Sequence, residues 1–166
     1  MERTEINSIL IPWTIKENWN VRKGDLEALY NFDPKGFWLL SLNKTPVASL
    51  STIRYSREFA FLGLYFVDFN YRGKGYGKYL WDNAIREVGS VTMGLNGILD
   101  QMNNYKKEGF VFKSHTTRVE LNRNFLINDM QSNLYTDSVV IEHITDSNFN
   151  EIIDYSFLIF PFKRDI

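Results

Sequence analysis

The sequence predicts an α/β (α+β) domain with a mixed, twisted sheet flanked by helices. Residues 59–69 are dense in aromatic and β-branched types, and the run has the length of a buried strand rather than that of a membrane span. Apolar residues then recur at helical spacing from Tyr76 to Val88. The glycine-rich residues 72–78 separate these two segments. The other elements of the chain are organised around this unit of strand, loop and helix.

Two short helices are predicted before this unit. Residues 6–13 suit either a first strand or an irregular arm, and Pro12 disfavours a central strand. Polar and apolar residues alternate at helical spacing over residues 14–32, with a break at Gly24. We therefore expect two helices joined near this glycine, with Asp25 as the cap of the second helix.

An antiparallel hairpin is expected next. Residues 33–36 spell Asp-Pro-Lys-Gly, a sequence typical of a turn. Strands are predicted over residues 37–42 and 47–55, on either side of the turn sequence Asn-Lys-Thr-Pro. Residues 59–69 add a third strand, so that a three-stranded meander leads into the glycine loop.

The remaining elements of the domain follow the helix that begins at Tyr76. Residues 94–99 form a weak strand candidate, and residues 101–107 form a helical turn. Residues 109–112 and 116–121 are predicted as a closing pair of strands. Strands that alternate with helices in this way complete a mixed sheet.

The composition excludes several classes of protein. At 166 residues, of which 44% are hydrophobic, the chain is long enough for one packed core. Its 19 basic and 20 acidic residues create no field that favours nucleic acid, and no segment suits a membrane span. Cysteine is absent, and His115 and His143 lack acidic partners at metal-ligand spacing, so we expect no metal. The start of the chain lacks a secretion signal, and we expect a cytoplasmic protein.

The glycine loop has the composition of a phosphate-binding turn. Gly73, Gly75 and Gly77 free the backbone to point its N–H groups inward, and the following helix adds the positive end of its dipole. A nucleotide P-loop does not fit, because Gly75 stands where Ser or Thr would follow Gly-Lys. The spacing also departs from the G-x-G-x-x-G pattern of dinucleotide-binding proteins.

Two motifs in this order resemble those of the GNAT superfamily of N-acetyltransferases. Arg72, Gly75 and Gly77 match the acyl-CoA loop pattern R/Q-x-x-G-x-G/A. A second pattern, Y-x-x-x-G-F, is matched from Tyr105 onward. The resemblance extends over residues 19–121 and implies the GNAT acyl-CoA N-acyltransferase fold, whose sheet splays apart after the fourth strand and leaves a slot for pantetheine.

The segment between the two motifs is closer to one subgroup of the family. Residues 95–105 resemble the N-terminal domain of two-domain GNAT proteins, in which a glycine is followed by Gln and then by Asn-Tyr. Ile98 replaces an asparagine that is common in the family. Asn103 is the nearest substitute for the cofactor contact of that asparagine.

The resemblance also implies contacts with the co-substrate acetyl-CoA. Its pyrophosphate is expected against the glycine loop, and its pantetheine amides are expected to pair with main-chain groups at the end of the strand over residues 59–69. The implied pyrophosphate contacts are Arg72, Gly73, Lys74, Gly75, Tyr76, Gly77 and Lys78, and the implied pantetheine contacts are Tyr65, Phe66 and Val67.

Two side chains are candidates for proton transfer. Tyr105 occupies the position from which GNAT enzymes donate a proton to the leaving thiolate, and the alternative is that its ring only packs against the sheet. Asp68 lies at the end of a strand, where a carboxylate could act as a base directly or through water. The alternative for Asp68 is that it caps a turn or faces solvent.

The resemblance favours an N-acetyltransferase that moves the acetyl group of acetyl-CoA to an amine of a small molecule or protein by direct attack. One alternative is an acyl-CoA-binding sensor or regulatory module without turnover. A second alternative is an unrelated phosphate-binding domain. The acceptor amine cannot be deduced from the sequence, because folds of this kind carry their specificity in local sites.

The end of the chain departs from the pattern of the first domain. We expect a GNAT domain over residues 1–121, a polar linker over residues 122–138 and an extension over residues 139–166. Within the extension, residues 139–144 are predicted as a strand and residues 147–160 as a helix. The extension is either the opening of a truncated second GNAT-like domain or a tail that packs on the first domain or on a partner chain, so a homodimer is also expected.

Overall fold

The computed structural model describes residues 1–117, 119 and 142–159. The predicted linker over residues 122–138 lies outside this range, as do residues 118, 120 and 121 of the predicted closing strand and residues 160–166. None of the helices in the described ranges is long and apolar enough to cross a membrane.

The described elements form a four-stranded sheet with helices on both faces. Neighbouring strands are β1 with β2, β2 with β3, and β3 with β4; the first two pairs are antiparallel and the last is parallel. The sheet is therefore mixed, as predicted. The strands are β1 (Phe37–Leu42), β2 (Thr45–Arg54), β3 (Phe59–Val67) and β4 (Thr92–Leu95). The helices are α1 (Arg3–Glu5), α2 (Ile11–Lys16), α3 (Lys23–Phe32), α4 (Tyr76–Val88), α5 (Met102–Lys107) and α6 (Phe149–Ile159).

The predicted meander and the glycine-loop helix are confirmed. β1 has the predicted bounds, and β2 and β3 each end within two residues of their predicted ends. Asn43 and Lys44, with φ of 50° and 65°, form the tight hairpin turn between β1 and β2. Positive φ at both central residues matches the right-handed twist of the strands that they join.

β3 and β4 stay together over only part of their length. Their register runs from Phe59 opposite Thr92 to Leu62 opposite Leu95, after which β3 continues without β4 to Val67. This divergence is the splay that the family resemblance implies. It follows the third strand of the sheet, because residues 6–13 are helical rather than a strand.

The prediction of a strand or an irregular arm for residues 6–13 is wrong. A π-helical turn over Ile6–Leu10 leads directly into α2. Ile6 and Leu10 are buried at a spacing of four residues, which is the helical period that places both side chains on one face. Pro12 is the second residue of α2, which follows the π-helical turn directly, and irregular helical turns of this kind accommodate a residue that lacks an N–H.

α3 begins slightly earlier than predicted, and Asp25 has a different role from the expected cap. The helix starts at Lys23, so Gly24 lies inside its first turn. The Asp25 carboxylate accepts a hydrogen bond of 2.9 Å from the main-chain N–H of Arg22. It therefore reaches back to the residue before the helix, as an acidic side chain at the third helical position does in a capping box.

Each face of the sheet buries its own apolar cluster. The face under α4 and the face under the N-terminal helices are filled by alternate residues of the same strands, so the domain has three layers. The first cluster contains Ala48, Leu50, Leu62, Leu80, Trp81 and Ala84. The second contains Ile6, Leu10, Leu26, Phe37 and Ile53.

The closing strands are not found in the described residues. Residues 109–117 contain no strand, and β4 is earlier and shorter than the predicted strand at 94–99. Gly109, with φ of 90°, turns the chain at the end of α5, and Phe110 then packs its ring edge against Trp81 at 6.0 Å between centroids. After this turn only Phe110 packs on the core, whereas Val111 and Phe112 are 73% and 48% exposed, and residues 109–112 do not join the sheet.

The helix predicted near the end of the chain is confirmed as α6, over Phe149–Ile159. Of the strand predicted for residues 139–144, residues 142–144 have no regular secondary structure and the others lie outside the described range. Tyr155 and Leu158 of α6 are 63% and 84% exposed, so an apolar part of this helix faces outward. The division of the chain into two domains stays a prediction.

α4 approaches β3 so closely at Gly77 that a side chain there would collide with the strand. A Cβ atom at this position would lie 2.6 Å from the Tyr65 hydroxyl oxygen and 2.8 Å from Val67 Cγ2. We expect Gly77→Ala to lower the free energy of unfolding by about 1–3 kcal/mol, the usual cost of an added methyl group in a close-packed site. Urea denaturation followed by circular dichroism measures this loss.

Gly24→Ala is the matched control for this experiment. A Cβ atom at Gly24 would meet no atom within 4 Å, and the residue lies in α3, where alanine is the better helix former. This variant should be as stable as the wild type or more stable by about 0.5–1 kcal/mol. An unchanged stability of Gly77→Ala would show that α4 and β3 are further apart than the structure places them.

Candidate active site

The glycine loop connects the end of β3 to the start of α4. After β3, one 3-10 turn (Phe69–Tyr71) leads to Gly73 and Gly75, whose φ angles are 72° and 84°. Both angles are in the left-handed region, where glycine has no steric penalty. Gly75 is the residue directly before α4, so the loop delivers the chain into the first turn of a 13-residue helix. The free N–H groups of that turn and the helix dipole favour an anion at this position.

Among the described residues, no strand pairs with this edge of β3 beyond Leu62, and we call the edge beside the loop the free edge of β3. The main-chain N–H of Asp68 donates a hydrogen bond of 2.9 Å to the carbonyl of Val47 in β2. This bond shows which main-chain groups at the end of β3 point toward β2. Main-chain groups alternate in direction along a strand, so those of Phe66, which is opposite Ser49, face β2, and the carbonyl of Val67 faces the free edge. Pairing with a ligand amide is open to Val67 but not to the main chain of Phe66.

A bulge precedes this free edge. Leu64 has a φ of 51°, and its carbonyl accepts a hydrogen bond of 2.9 Å from the Ser49 hydroxyl. The register with β2 shifts between Ser49 and Ser51, as an extra residue in β3 requires. The bulge bends the end of β3 away from β4 and thereby widens the slot.

The rings of Tyr65 and Tyr105 both pack on Trp81, a buried core residue of α4. The Trp81 ring centroid lies 5.2 Å from that of Tyr65 and 6.2 Å from that of Tyr105. Burial, with smaller contributions from Tyr105 and Glu108, raises the pKa of Tyr65 to about 12. Burial also raises the pKa of Tyr105. Both phenols therefore keep their protons at neutral pH, and each can act as a hydrogen-bond donor.

The spacing of the Y-x-x-x-G-F motif has a structural explanation at the end of α5. The N–H of Phe110 donates to the carbonyl of Tyr105, and the N–H of Gly109 donates to the carbonyl of Lys106, both at 3.0 Å. These two bonds around a left-handed glycine form a Schellman cap. Gly97 completes the arrangement, since a Cβ atom there would lie 2.3 Å from the Tyr105 ring. The motif thus fixes the tyrosine in the slot through the cap of its own helix.

The three cationic side chains predicted to contact the pyrophosphate are bonded to other groups of the protein. Arg72 Nε donates to the carbonyl of Val67 at 2.8 Å, and Lys74 Nζ donates to the carbonyl of Asn70 at 2.8 Å. Lys78 pairs with Asp82 and, at 3.4 Å, with Glu108. The Tyr76 ring packs on that of Tyr71, with centroids 6.1 Å apart. These side chains therefore lie around the glycine loop and form hydrogen bonds, ion pairs or ring contacts with neighbouring residues.

Asp68 and Asn103 are placed differently from the tyrosines. Asp68 Oδ1 accepts a hydrogen bond of 3.0 Å from the N–H of Asn70, and its Oδ2 lies 3.8 Å from Lys16 Nζ. The alternative role for Asp68, capping a turn, is therefore the one that the structure shows. Asn103 is exposed on α5, two residues before Tyr105.

Glu17 was not found by sequence reasoning, although it contacts the site. Its carboxylate lies 2.6 Å from Nη2 of Arg72, at the end of α2. The two residues are 55 positions apart in the chain, and no motif or spacing links them. Within the described ranges, no group of three or more His, Cys, Asp or Glu residues is placed to hold a metal ion.

Comparisons with known sequences agree with this geometry. The family model described as "Acetyltransferase (GNAT) family" matches residues 4–110. Among curated proteins, holothin acyltransferase of Pseudoalteromonas sp. (strain SANK 73390) is 38% identical over 156 residues. The match covers 94% of this chain and 50% of the relative, so the chain spans half the length of that protein.

Solved structures show the same fold. Ard1 from Thermoplasma volcanium aligns with a TM-score of 0.58 at 24% identity, covering 69% of this chain and 81% of that one. An acetyltransferase described as putative from Pyrococcus horikoshii aligns with a TM-score of 0.56 at 20% identity, covering 66% and 41% of the two chains. At these identities the similarity concerns the fold, and it confirms the predicted mixed α/β architecture.

The raised pKa of Tyr65 predicts how stability depends on alkaline pH. In the unfolded chain the phenol ionises near its model value of 10.0, whereas in the folded protein it keeps its proton up to about pH 12. Stability from this group is complete below pH 10 and is lost as the pH rises through the folded value, because only the unfolded state releases the proton in between. We expect the urea midpoint of the wild type to fall more between about pH 9 and about pH 11.5 than that of Tyr65→Phe. Tyr79→Phe, at a residue that is 64% exposed, should behave as the wild type, and parallel falls in all three proteins would contradict the burial of the Tyr65 hydroxyl.

Proposed function

The chain belongs to the GNAT family of acetyltransferases, and from this premise we propose that it transfers the acetyl group of acetyl-CoA to an amine by direct attack. The observation that carries the proposal is the meeting of three features: the free edge of β3, the glycine loop before α4 and the Tyr105 side chain. The acceptor class is an amine of a small molecule or a protein. The relative's name, holothin acyltransferase, supports acyl transfer as the reaction class.

The main chain of the slot suits the two polar parts of coenzyme A. The carbonyl of Val67 on the free edge can accept from a pantetheine amide, as a neighbouring strand would donate. The left-handed Gly73 and Gly75 and the first turn of α4 can direct N–H groups to the pyrophosphate. Gly77 supports this fit, because its missing side chain lets the first turn of α4 approach the strand.

Tyr105 supplies the proton that the reaction requires. The amine nitrogen forms a bond to the acyl carbon, the bond between carbon and sulfur breaks, and the sulfur takes a proton from the phenol. The raised pKa of Tyr105 keeps this proton in place at neutral pH. The attacking nitrogen loses one proton to solvent, which leaves a neutral amide, and the phenolate recovers a proton from solvent.

In this proposal Asp68 has a structural role: it holds the turn that precedes the glycine loop. Its carboxylate holds the turn at Asn70 and pairs with Lys16, so both of its oxygens are engaged beside the end of β3. The bond to Asn70 is that of a residue that caps the turn at the end of β3. We therefore assign to Asp68 the placement of the turn that leads into the glycine loop.

Gly75→Asp tests the cofactor site. The substitution puts a carboxylate where the pyrophosphate is proposed to bind, so acetyl-CoA binding should fall by about 100-fold or more in isothermal titration calorimetry. Gly89→Asp is the matched control, since Gly89 also has a positive φ, of 74°, but follows the other end of α4. With ψ of -155° at Gly89, against -9° at Gly75, the control carries at least as much backbone strain, and it should keep the affinity of the wild type. If folded Gly75→Asp binds acetyl-CoA as tightly as the wild type, the loop is not the phosphate site.

Tyr105→Phe tests the chemistry. The variant keeps the ring that packs on Trp81 and loses the proton donor, so kcat should fall by about 100-fold while the Kd for acetyl-CoA changes little. Release of free thiol from acetyl-CoA in the presence of a panel of amines measures the rate. The exposed Tyr79→Phe serves as the control. Binding of acetyl-CoA by the wild type without thiol release on any amine would favour the sensor alternative instead.

A further inference from the structure

Arg72 is the one loop cation whose side chain turns back onto the free edge of β3 in the described part of the chain. Its Nε donates to the Val67 carbonyl at 2.8 Å, and its Nη2 donates to Glu17 Oε1 at 2.6 Å. The carbonyl that it covers is the one that faces the free edge. A single guanidinium therefore joins the end of α2 to the edge along which the co-substrate is proposed to bind.

The position of Glu17 is fixed by the packing of α2 on the end of β3. Trp13 of α2 stacks on the Phe66 ring with centroids 4.4 Å apart. The guanidinium carbon of Arg72 lies 5.7 Å from the centre of the same ring. The ion pair between Glu17 and Arg72 is thus held in a geometry set by a buried aromatic contact, and not only by two mobile surface chains. Such charge-assisted hydrogen bonds are stronger than neutral ones.

Arg72 has two sets of possible partners, which compete for its charge. The family motif begins with this arginine, and the resemblance implies that Arg72 contacts the pyrophosphate of coenzyme A. In the structure, the same charge is directed to Glu17 and to the carbonyl that a pantetheine amide would use. A guanidinium that is held by one carboxylate has to be released from it before it can neutralise a phosphate group elsewhere.

We propose that Glu17 is a positioning residue that withholds Arg72 from the co-substrate, so that the affinity for coenzyme A is set by competition between this carboxylate and the pyrophosphate. The inference rests on the proposed function, in which coenzyme A binds along β3. Binding moves Arg72 from Glu17 and Val67 to the phosphate. After acyl transfer, the return of Arg72 to Glu17 favours the release of coenzyme A, a step that often limits turnover in enzymes.

A double-mutant cycle on coenzyme A binding tests this inference. The dissociation constant of coenzyme A is measured by calorimetry at one fixed ionic strength for the wild type, Glu17→Gln, Arg72→Ala and the double variant. Glutamine keeps the size of the side chain and removes its charge, so Glu17→Gln should bind coenzyme A about 3-fold to 5-fold more tightly, the upper part of the range for one exposed ion pair. In the Arg72→Ala background, the same substitution should change the affinity by less than about 2-fold.

Glu27→Gln is the matched control. Glu27 forms an ion pair with Lys23 at 3.7 Å on α3, so this variant changes the net charge equally and leaves Arg72 untouched. Its affinity should equal that of the wild type. Thermal melting of every variant shows that each is folded, and Arg72→Lys provides a second background that keeps the charge but loses the two-armed contact.

Three results would overturn the inference. An unchanged or weaker affinity of Glu17→Gln would show that Glu17 does not compete for Arg72. The change in net charge alone would explain the result if Glu17→Gln increased the affinity equally with and without Arg72. The same conclusion would follow if Glu27→Gln increased the affinity as much as Glu17→Gln. Failure of the wild type to bind coenzyme A at all would overturn the proposed function itself, which the other two results would leave intact.

Discussion

The structure depends on one strand that is paired fully on one side and only partly on the other. β2 covers β3 along its length, whereas β4 leaves β3 after Leu62. An unpaired strand edge is a liability in most proteins, because it exposes main-chain groups that must be satisfied. Here the edge is short, bulged at Leu64 and covered at Val67 by the Arg72 side chain. These features leave a slot for an extended ligand beside a glycine loop without leaving a long open edge.

Local contacts also hold Tyr105, the proposed proton donor. The Schellman cap at Gly109 ends α5, places Phe110 against Trp81 and fixes the helical position that Tyr105 occupies. A motif of six residues therefore sets both the end of a helix and the location of a phenol. Burial of the Tyr105 side chain raises the pKa of its phenol, so the packing at the end of α5 also affects the protonation of this group.

Local signals predicted the elements that depend on local chemistry. The bounds of β1 and the helix after Gly75 follow from periodicity and from turn residues, and the structure confirms both. Residues 6–13 were mispredicted because a short apolar run does not distinguish a strand from a buried helix. The strand expected at residues 109–112 failed because the cap at Gly109 redirects the chain. The pair of Glu17 and Arg72 could not be predicted, because only the packing of Trp13 on Phe66 brings residues so far apart in the chain together.

The contacts of Asp68 bear on which amines can serve as acceptors in the proposed reaction. A lysine-type amine with a pKa of about 10.4 is unprotonated in roughly one molecule in 2,500 at pH 7, whereas an amine with a pKa of about 8 is unprotonated in roughly one in ten. The first kind of acceptor needs a base in the enzyme, and the carboxylate nearest to the end of β3 is tied to Lys16 and Asn70. The second kind needs only the proton donor that Tyr105 provides. With Asp68 assigned to the turn, we therefore expect weakly basic amines to react faster than alkylamines in the proposed reaction.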